Sequence, residues 1–139
     1  MLHVLIHMGD LDRPVTSDTI ATMLGTPASA VRGHMGKLRA RKLVSSNKGH
    51  GGGWTLTRPL AEITMLDIYE ALDSPALFAL GPAEDDPTCL VERAVDRRLG
   101  DAFARAGEVL RAEMQATTLA MIAGDFEMGL AAEAIERND

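Results

Sequence analysis

Apolar residues recur at helical spacing in three short segments near the start of the chain. Residues 2–8 are apolar on most faces, which predicts a buried helix. A second helix is expected over residues 18–24, capped by the hydroxyl residues before it, and a third over about 28–41. The third helix places Val31, Met35 and Leu38 on one face. Residues 25–27, Gly-Thr-Pro, are typical of a tight turn, so the pattern predicts a helix-turn-helix unit.

Two short runs of strand-forming residues follow, at 43–46 and 54–57. The glycines at 51–53 between them cannot belong to a helix interior, because each would cost conformational entropy there. A strand, a glycine turn and a second strand directly behind a helix-turn-helix unit predict a winged helix. The turn carries Lys48 and His50 and little side-chain bulk, so it could approach a phosphate backbone closely.

A fourth helix is predicted after the wing, and then a long fifth one. Thr64 lies three residues before Asp67, which is the spacing of a capping box. The apolar stripe of this fourth helix is expected to comprise Ile63, Leu66, Tyr69 and Leu72, with Tyr69 interpreted as a core residue in preference to a ligand contact. Apolar residues then recur at helical spacing over 90–121 without a proline, which predicts a single helix.

A helix of that length would span roughly 45–50 Å and could not fold back into so small a core. Its apolar stripe is therefore expected to pack on a second copy of the chain. The residues expected at this dimer interface are Val95, Leu99, Ala102, Phe103, Ala106 and Leu110.

The expected fold is mainly α with a small β wing: a winged helix-turn-helix domain followed by a long C-terminal dimerisation helix. Residues 1–73 are expected to form the DNA-binding domain and 74–87 a linker. Residues 88–123 are expected to form the dimerisation helix, and 124–139 an acidic tail with a short helix.

The charge of the chain is distributed unevenly. The net charge is −6, but residues 1–60 hold eight Lys/Arg against three Asp/Glu, whereas residues 61–139 hold six against seventeen. A basic N-terminal half is the electrostatic pattern expected of a phosphate-binding surface, and the acidic half is expected to face away from DNA. A chance asymmetry is the plainer alternative.

The second helix of a helix-turn-helix enters the major groove with its N-terminal residues near the bases. Arg32 is the best candidate for reading a base, because arginine pairs bidentately with guanine. Lys37, Arg39, Arg41 and Lys42 are expected to reach phosphates, although any one of them could be only a solvated surface charge. The predicted DNA-binding residues are Thr26, Ser29, Ala30, Arg32, Gly33, Lys37, Arg41, Lys48, His50, Gly51 and Gly52.

Three motifs in succession resemble the signature of one family. They are Gly-Gly-Gly-Trp at 51–54, Leu-Thr-Arg-Pro at 56–59 and Glu-Ile-Thr-Met-Leu-Asp-Ile at 62–68. Together with Thr-Thr-Leu-Ala at 117–120, they resemble the Rrf-two family of bacterial winged-helix transcription regulators, which includes IscR-type and NsrR-type sensors. The resemblance covers residues 2 to about 123 and implies a homodimer that binds a palindromic operator and represses or activates nearby genes.

The chain departs from this family in two ways. Its first helix is short at the start, because family members usually carry several more residues before Leu2. Iron–sulfur members use three cysteines, whereas this chain has only Cys89, which resembles the first of the set. A cluster held by three cysteines per subunit is therefore excluded, and no cofactor or metal is predicted.

The role of Cys89 stays open at this stage. It could be a small buried residue at a helix start, or a redox-active thiol whose pKa is lowered by the helix N-terminus. Acidic residues at 84–86 would act against that lowering. Ligation of a metal or cluster by Cys89 together with His3 and His7, which share one helix face, is a third alternative.

Other function classes find little support in the sequence. No catalytic Ser-His-Asp or Cys-His arrangement and no P-loop is indicated, so an enzyme is not expected. The chain shows no transmembrane run, no signal peptide and a single cysteine, from which a cytoplasmic location is expected. The rival interpretation is a dimeric winged-helix module that binds proteins only. The inducing signal could be a redox change or a small ligand, or there could be none.

Overall fold

The computed structural model describes residues 1–11, 13–49, 51–77 and 89–136, with side chains up to 129. Within these ranges the chain forms six α-helices, one 3-10 turn and a two-stranded sheet. In chain order they are α1 (Leu2–Gly9), α2 (Ser17–Leu24), α3 (Ala28–Ala40), β1 (Val44–Asn47), β2 (Gly53–Leu56), a 3-10 turn (Leu60–Glu62), α4 (Met65–Ala71), α5 (Leu90–Ala116) and α6 (Leu119–Glu136). The predicted fold class is confirmed.

Local capping signals define the helix-turn-helix. The Thr16 hydroxyl accepts a hydrogen bond from the Thr19 N–H at 3.2 Å and so caps α2. Gly25 ends α2 in the left-handed conformation, with φ of +60°. Pro27 is the N-cap of α3, which begins at Ala28 as predicted. The buried face of α3 is the predicted one, because Val31, Met35 and Leu38 are fully buried.

The wing is an antiparallel hairpin held firmly to the helices. Val44 pairs with Leu56 and Asn47 with Gly53, one residue away from the predicted strand bounds. On the other edge of β2, Trp54 and Val15 exchange two backbone hydrogen bonds of 2.8 and 2.9 Å. A Cβ on Gly53 would lie 2.7 Å from the Val15 carbonyl oxygen, so only glycine permits this close approach. The wing is thus paired on both sides of β2.

A single hydrophobic core lies beneath these elements. It draws on α1, on the inner faces of α2 and α3, on the strands and on α4, and Leu119 of α6 is also fully buried in it. The capping box of α4 forms as predicted: the Thr64 hydroxyl accepts from the Asp67 N–H, and the Asp67 carboxylate accepts from the Thr64 N–H. The predicted apolar stripe of Ile63, Leu66, Tyr69 and Leu72 does not describe the buried face of α4. Within α4 the large side chain that is buried is Ile68.

The prediction of one helix over 90–121 is wrong, and so is the prediction of a separate tail from 124. Helix α5 ends at Ala116, and α6 runs without interruption from Leu119 to Glu136. The break is formed by an isolated bridge between Thr64 and Thr118. In this bridge the Met65 N–H donates to the Thr117 carbonyl and the Leu119 N–H donates to the Ile63 carbonyl, each at 2.9 Å. These long-range hydrogen bonds turn the chain back, so that α6 packs against α1.

Helix α5 has 27 residues, none of them buried. It contacts α4 near its C-terminal end, where Arg111 pairs with Glu70. Its rise of about 1.5 Å per residue gives it a length of about 40 Å. No helix within the described ranges is both long and apolar enough to cross a membrane.

Candidate nucleic-acid interface

The exposed surface of α3 divides into a central strip and two flanks. At about 100° per residue, Ser29, Gly33, Gly36 and Ala40 lie opposite the buried face. Arg32 and Arg39 lie on the flank toward the wing, and Lys37 and Arg41 lie on the flank toward α4. The strip is therefore smooth and uncharged, with cationic groups along both edges.

The packing of the single chain does not require glycine at the two positions of this strip where glycine occurs. A Cβ added at Gly33 or Gly36 would find no atom within 4 Å, and neither residue has a positive φ. Glycine inside a helix is about 1 kcal/mol less favourable than alanine. The fold therefore carries a helix-destabilising residue at two outward positions where its own packing does not require one.

Two of the predicted phosphate-binding residues already have acidic partners. Lys37 Nζ lies 2.6 Å from the Asp73 carboxylate, and Arg41 lies 3.9 Å from that of Glu70. Glu70 also pairs with Arg111 of α5. The acidic half of the chain thus reaches one flank of α3 and offsets two of the eight basic residues of the N-terminal half, so the acidic half does not simply face away from α3.

The sequence did not predict the contacts that Arg39 makes with the wing. Its guanidinium donates to the Ser46 hydroxyl at 3.1 Å and lies 6.0 Å from the centre of the Trp54 ring. Trp54 is buried, and its indole N–H donates to the Ser17 hydroxyl at 3.0 Å. These contacts tie α3, the wing and the start of α2 into one surface. The tryptophan at the start of β2 was the residue in the sequence that could have indicated these contacts. Its partners could not be predicted, because they lie far away in the sequence.

The predicted base-reading residues lie along the start of α3. Ser29, Arg32 and Gly33 are exposed, whereas Thr26 and Ala30 are half-buried. The ion pairs found in the described part of the chain do not include Arg32. Its guanidinium is thus available to an outside acceptor.

The turn of the wing presents one exposed cation. Lys48 and Gly51 are exposed, and Gly51 has a φ of +75° that favours glycine. A Cβ on Gly52 would lie 2.4 Å from the Asn47 carbonyl oxygen. The turn itself therefore requires these glycines, independently of any ligand. His50 lies outside the described residues.

Five of the six residues predicted at a dimer interface are exposed on α5, and Phe103 is half-buried. Val95 and Leu99 remain 51% and 49% exposed, and they share a face with Ala102 and Ala106. This face lies on the part of α5 that extends away from α4, and nothing in the described single chain buries it.

Cys89 lies at the N-cap of α5 and is exposed, so its interpretation as a buried packing residue is wrong. Backbone N–H groups of Glu92 and Val91 hold the pKa of the thiol below its ordinary value. The acidic residues at 84–86, which were expected to raise it, lie outside the described residues.

The described residues do not fit a cysteine-ligated iron–sulfur cluster. The chain contains a single cysteine. Within the described ranges of a single chain, no three His, Cys, Asp or Glu side chains come together as a metal-binding group, so His3, His7 and Cys89 do not form one within one chain.

Comparison with known proteins agrees with this geometry. The model of the Rrf2 (Rrf-two) family, described as "Iron-dependent Transcriptional regulator", matches residues 1–125. A Mycobacterium tuberculosis (strain H37Rv) protein named as an HTH-type transcriptional regulator, Rv1287, is 29% identical over 110 residues. The alignment covers 79% of this chain and 66% of the relative, so the chain spans slightly less than two thirds of that protein.

Two solved structures have a similar fold. A transcriptional regulator from Lactobacillus plantarum aligns with a TM-score of 0.73 at 21% identity, over 99% of this chain and 95% of that one. IscR from T. potens aligns with a TM-score of 0.62 at 21% identity, over 90% and 81%. At these identities the similarity establishes the fold alone.

Proposed function

The chain belongs to the Rrf2 family of transcriptional regulators, and on this premise we propose that it is a homodimeric repressor that binds a palindromic DNA operator. In this proposal α3 enters the major groove and the wing contacts the adjacent backbone. The residues assigned to DNA are those predicted from the sequence, and Arg39, already expected to reach a phosphate, is assigned to the backbone beside the wing.

The observation that carries the proposal is the outward surface of α3. A smooth strip of Ser29, Gly33, Gly36 and Ala40 lets the helix backbone come close to base edges. Arg32 extends beside that strip and is free of ion pairs among the described residues, so it can reach a guanine. Arg39 and Lys48 extend the positive surface toward the wing, where phosphates would be contacted.

The ion pairs on the other flank refine this assignment. Lys37 and Arg41 would contact phosphate only by leaving or sharing Asp73 and Glu70. The Lys37–Asp73 pair is exposed, and such pairs contribute only about 0–1 kcal/mol. In the second pair Glu70 is half-buried, but its distance of 3.9 Å from Arg41 is long, so exchange for a phosphate is energetically accessible in both. These two residues are therefore assigned a secondary role.

Dimerisation is proposed through the exposed apolar face of α5. Two recognition helices must lie about 34–36 Å apart to reach successive major grooves on one side of DNA. Substitution of Leu99 by Asp would place a carboxylate on that face, whereas Arg97→Asp places one on the far side of the same helix. We expect L99D to sediment as a folded monomer with much weakened operator binding, and R97D to remain dimeric. A dimeric L99D would refute the assigned interface.

The rival function is a dimeric module that binds proteins and has no sequence-specific DNA affinity. The deciding experiment is selection from a random DNA pool, followed by titration of the recovered sequence at two salt concentrations. A regulator recovers a palindrome, and its affinity falls steeply with salt because phosphate contacts release counterions. Failure to enrich any sequence, with no salt-sensitive affinity, would establish the rival.

Arg32→Ala tests the base-reading assignment. Loss of one bidentate guanine contact is expected to cost about 1–3 kcal/mol and to relax specificity at one operator position. Arg97→Ala on α5 removes the same charge far from α3 and serves as the matched control. An equal loss in both variants would show that only net charge matters and would overturn the role of Arg32.

A redox response is proposed at Cys89, supported by its exposure and the lowered pKa of its thiol. The thiolate would attack one oxygen of a hydroperoxide, forming an S–O bond as the O–O bond breaks and hydroxide or alkoxide leaves. Peroxide is expected to change operator affinity in the native chain but not in Cys89→Ser. Equal responses in the two proteins would exclude Cys89 as the sensor.

A further inference from the structure

The imidazoles of His3 and His7 meet on the surface of α1. They are four residues apart, and their Nε2 atoms lie 2.9 Å apart. The rings meet edge to face, with centroids 4.6 Å apart and planes at 71°. Both side chains are exposed, so the core does not force them together.

The pair faces a groove built from both ends of the chain. The groove between α1 and α6 has a volume of about 330 Å³. Its walls are apolar, chiefly Ile6, Ile122 and Phe126, and the carboxylate residues Asp10 and Glu127 also line it. Water reaches the two imidazoles, while the acidic residues make the surroundings attractive to a cation.

We propose that His3 and His7 form a two-histidine site for a divalent late transition metal, with Cu²⁺ or Ni²⁺ preferred. Two histidines at positions i and i+4 of a helix are a well-matched pair of metal ligands, because both Nε2 atoms can reach one ion. Imidazole nitrogens suit these borderline metals, and affinity rises toward Cu²⁺ along the divalent series.

The nitrogen separation is that of a hydrogen bond between the two rings, and it is also short enough for both to share one ion. Two ligands about 2.0–2.1 Å from an ion and at right angles to each other lie about 2.9 Å apart, whereas a tetrahedral pair lies about 3.3 Å apart. The observed 2.9 Å matches neighbouring positions of a square-planar or tetragonal ion. Binding requires the ring that donates the Nε2 proton to change tautomer, so that this proton moves to Nδ1.

The remaining coordination positions belong to water. No third His, Cys, Asp or Glu in the described part of the chain completes the group, so Asp10 and Glu127 are assigned to the hydration shell of the ion. This site is separate from the single thiol and from the DNA-binding surface, and it does not depend on the proposed regulatory function.

The test uses the full chain without a polyhistidine tag and stripped of metal, titrated with Cu²⁺ and separately with Ni²⁺ in a calorimeter. One extra residue precedes Met1, so that the terminal amine cannot chelate the ion together with His3. His7→Gln is the deciding variant, and His3→Gln is expected to match it. His34→Gln, which changes an exposed histidine of α3, is the matched control.

The expected result is one ion per chain, with affinity reduced at least tenfold in H3Q and H7Q and unchanged in H34Q. The electron paramagnetic resonance spectrum of the Cu²⁺ form should show two equivalent nitrogen ligands, reduced to one in H7Q. Circular dichroism verifies that each variant is folded. No binding at micromolar metal, or equal binding by H7Q and the native chain, would overturn the proposal.

Discussion

Replacing Gly33 and Gly36 by alanine should separate the stability of this protein from its binding to DNA. Both glycines lie inside α3, and an added Cβ at either would contact nothing within 4 Å. The substitutions therefore introduce no steric strain into the chain. Each removes the entropic disadvantage of glycine in a helix, which is about 0.8–1.0 kcal/mol.

The magnitude follows from the absence of neighbours. Because neither Cβ would find a partner, the difference in helix propensity is the whole change in the free energy of unfolding. The double variant should therefore gain about 2 kcal/mol of stability. For a domain of this size 1 kcal/mol raises the melting temperature by about 4 °C, so G33A/G36A should melt about 8 °C higher. The same methyl groups would lie between α3 and the floor of the major groove.

The assay pairs thermal unfolding with titration of the selected operator. We expect the double variant to be more stable and yet to bind at least tenfold more weakly, a loss of about 1.4 kcal/mol or more. Gly100→Ala is the matched control, because Gly100 is an exposed glycine inside α5 with equally open surroundings. With one glycine replaced, it should gain about 1 kcal/mol, half the effect of the double variant, and keep full DNA affinity.

Two outcomes would refute the reasoning. If G33A/G36A were not stabilised, the glycines would serve the fold in a way that the open space around them does not show. If it bound the operator as tightly as the native chain, the outward strip of α3 would not be the surface that meets DNA.

Three further experiments test single features of the structure. Lys42 follows the C-cap of α3 and has a φ of +56°, so Lys42→Gly should stabilise the chain by about 1 kcal/mol in a denaturant titration, while Lys42→Ala should not. Glu70→Gln removes the carboxylate shared by Arg41 and Arg111; we expect tighter DNA binding with a steeper salt dependence, because Arg41 becomes free for a phosphate. The lowered pKa of Cys89 predicts that its alkylation rate rises with pH and levels off at a lower pH in the folded chain than in the urea-unfolded chain.

Each of these has a contradicting outcome. Equal stability of K42G and K42A would mean that the left-handed conformation carries no penalty there. Weaker binding by E70Q would show that Glu70 positions α3 and does not compete with DNA. Coincident alkylation profiles would remove the effect of the α5 N-terminus on the thiol. The lowered pKa of Cys89 also sets the direction in which stability depends on pH. Because the folded pKa lies below the unfolded one, any stabilisation by the thiolate is present at high pH and is lost as pH falls through the folded pKa.

The elements that depend on short-range interactions were predictable from the sequence. The cap by Thr16, the left-handed Gly25 and the capping box of Thr64 and Asp67 each involve residues within three positions, and all three formed. The buried face of α3 and the winged helix-turn-helix were also confirmed, because periodic apolar residues report which side of an element is covered.

Contacts between distant residues decided what the sequence could not show. The break between α5 and α6 contains no proline or glycine; it arises because residues 63–65 and 117–119 satisfy each other's backbone hydrogen bonds. The apolar periodicity continues through it, which is why a single helix was predicted.

The distribution of charge around α3 has the same origin. Counting charges along the chain placed the basic and acidic halves apart, yet folding brings Asp73 to Lys37 and Glu70 to Arg41. The meeting of His3 and His7 follows from helix geometry alone, whereas the groove they face requires α6 to return to α1. By itself the sequence determined the local conformation and the covered faces of the helices, because those depend on neighbouring residues. Tertiary structure alone decided which charged and apolar surfaces meet, because that depends on where the chain turns back.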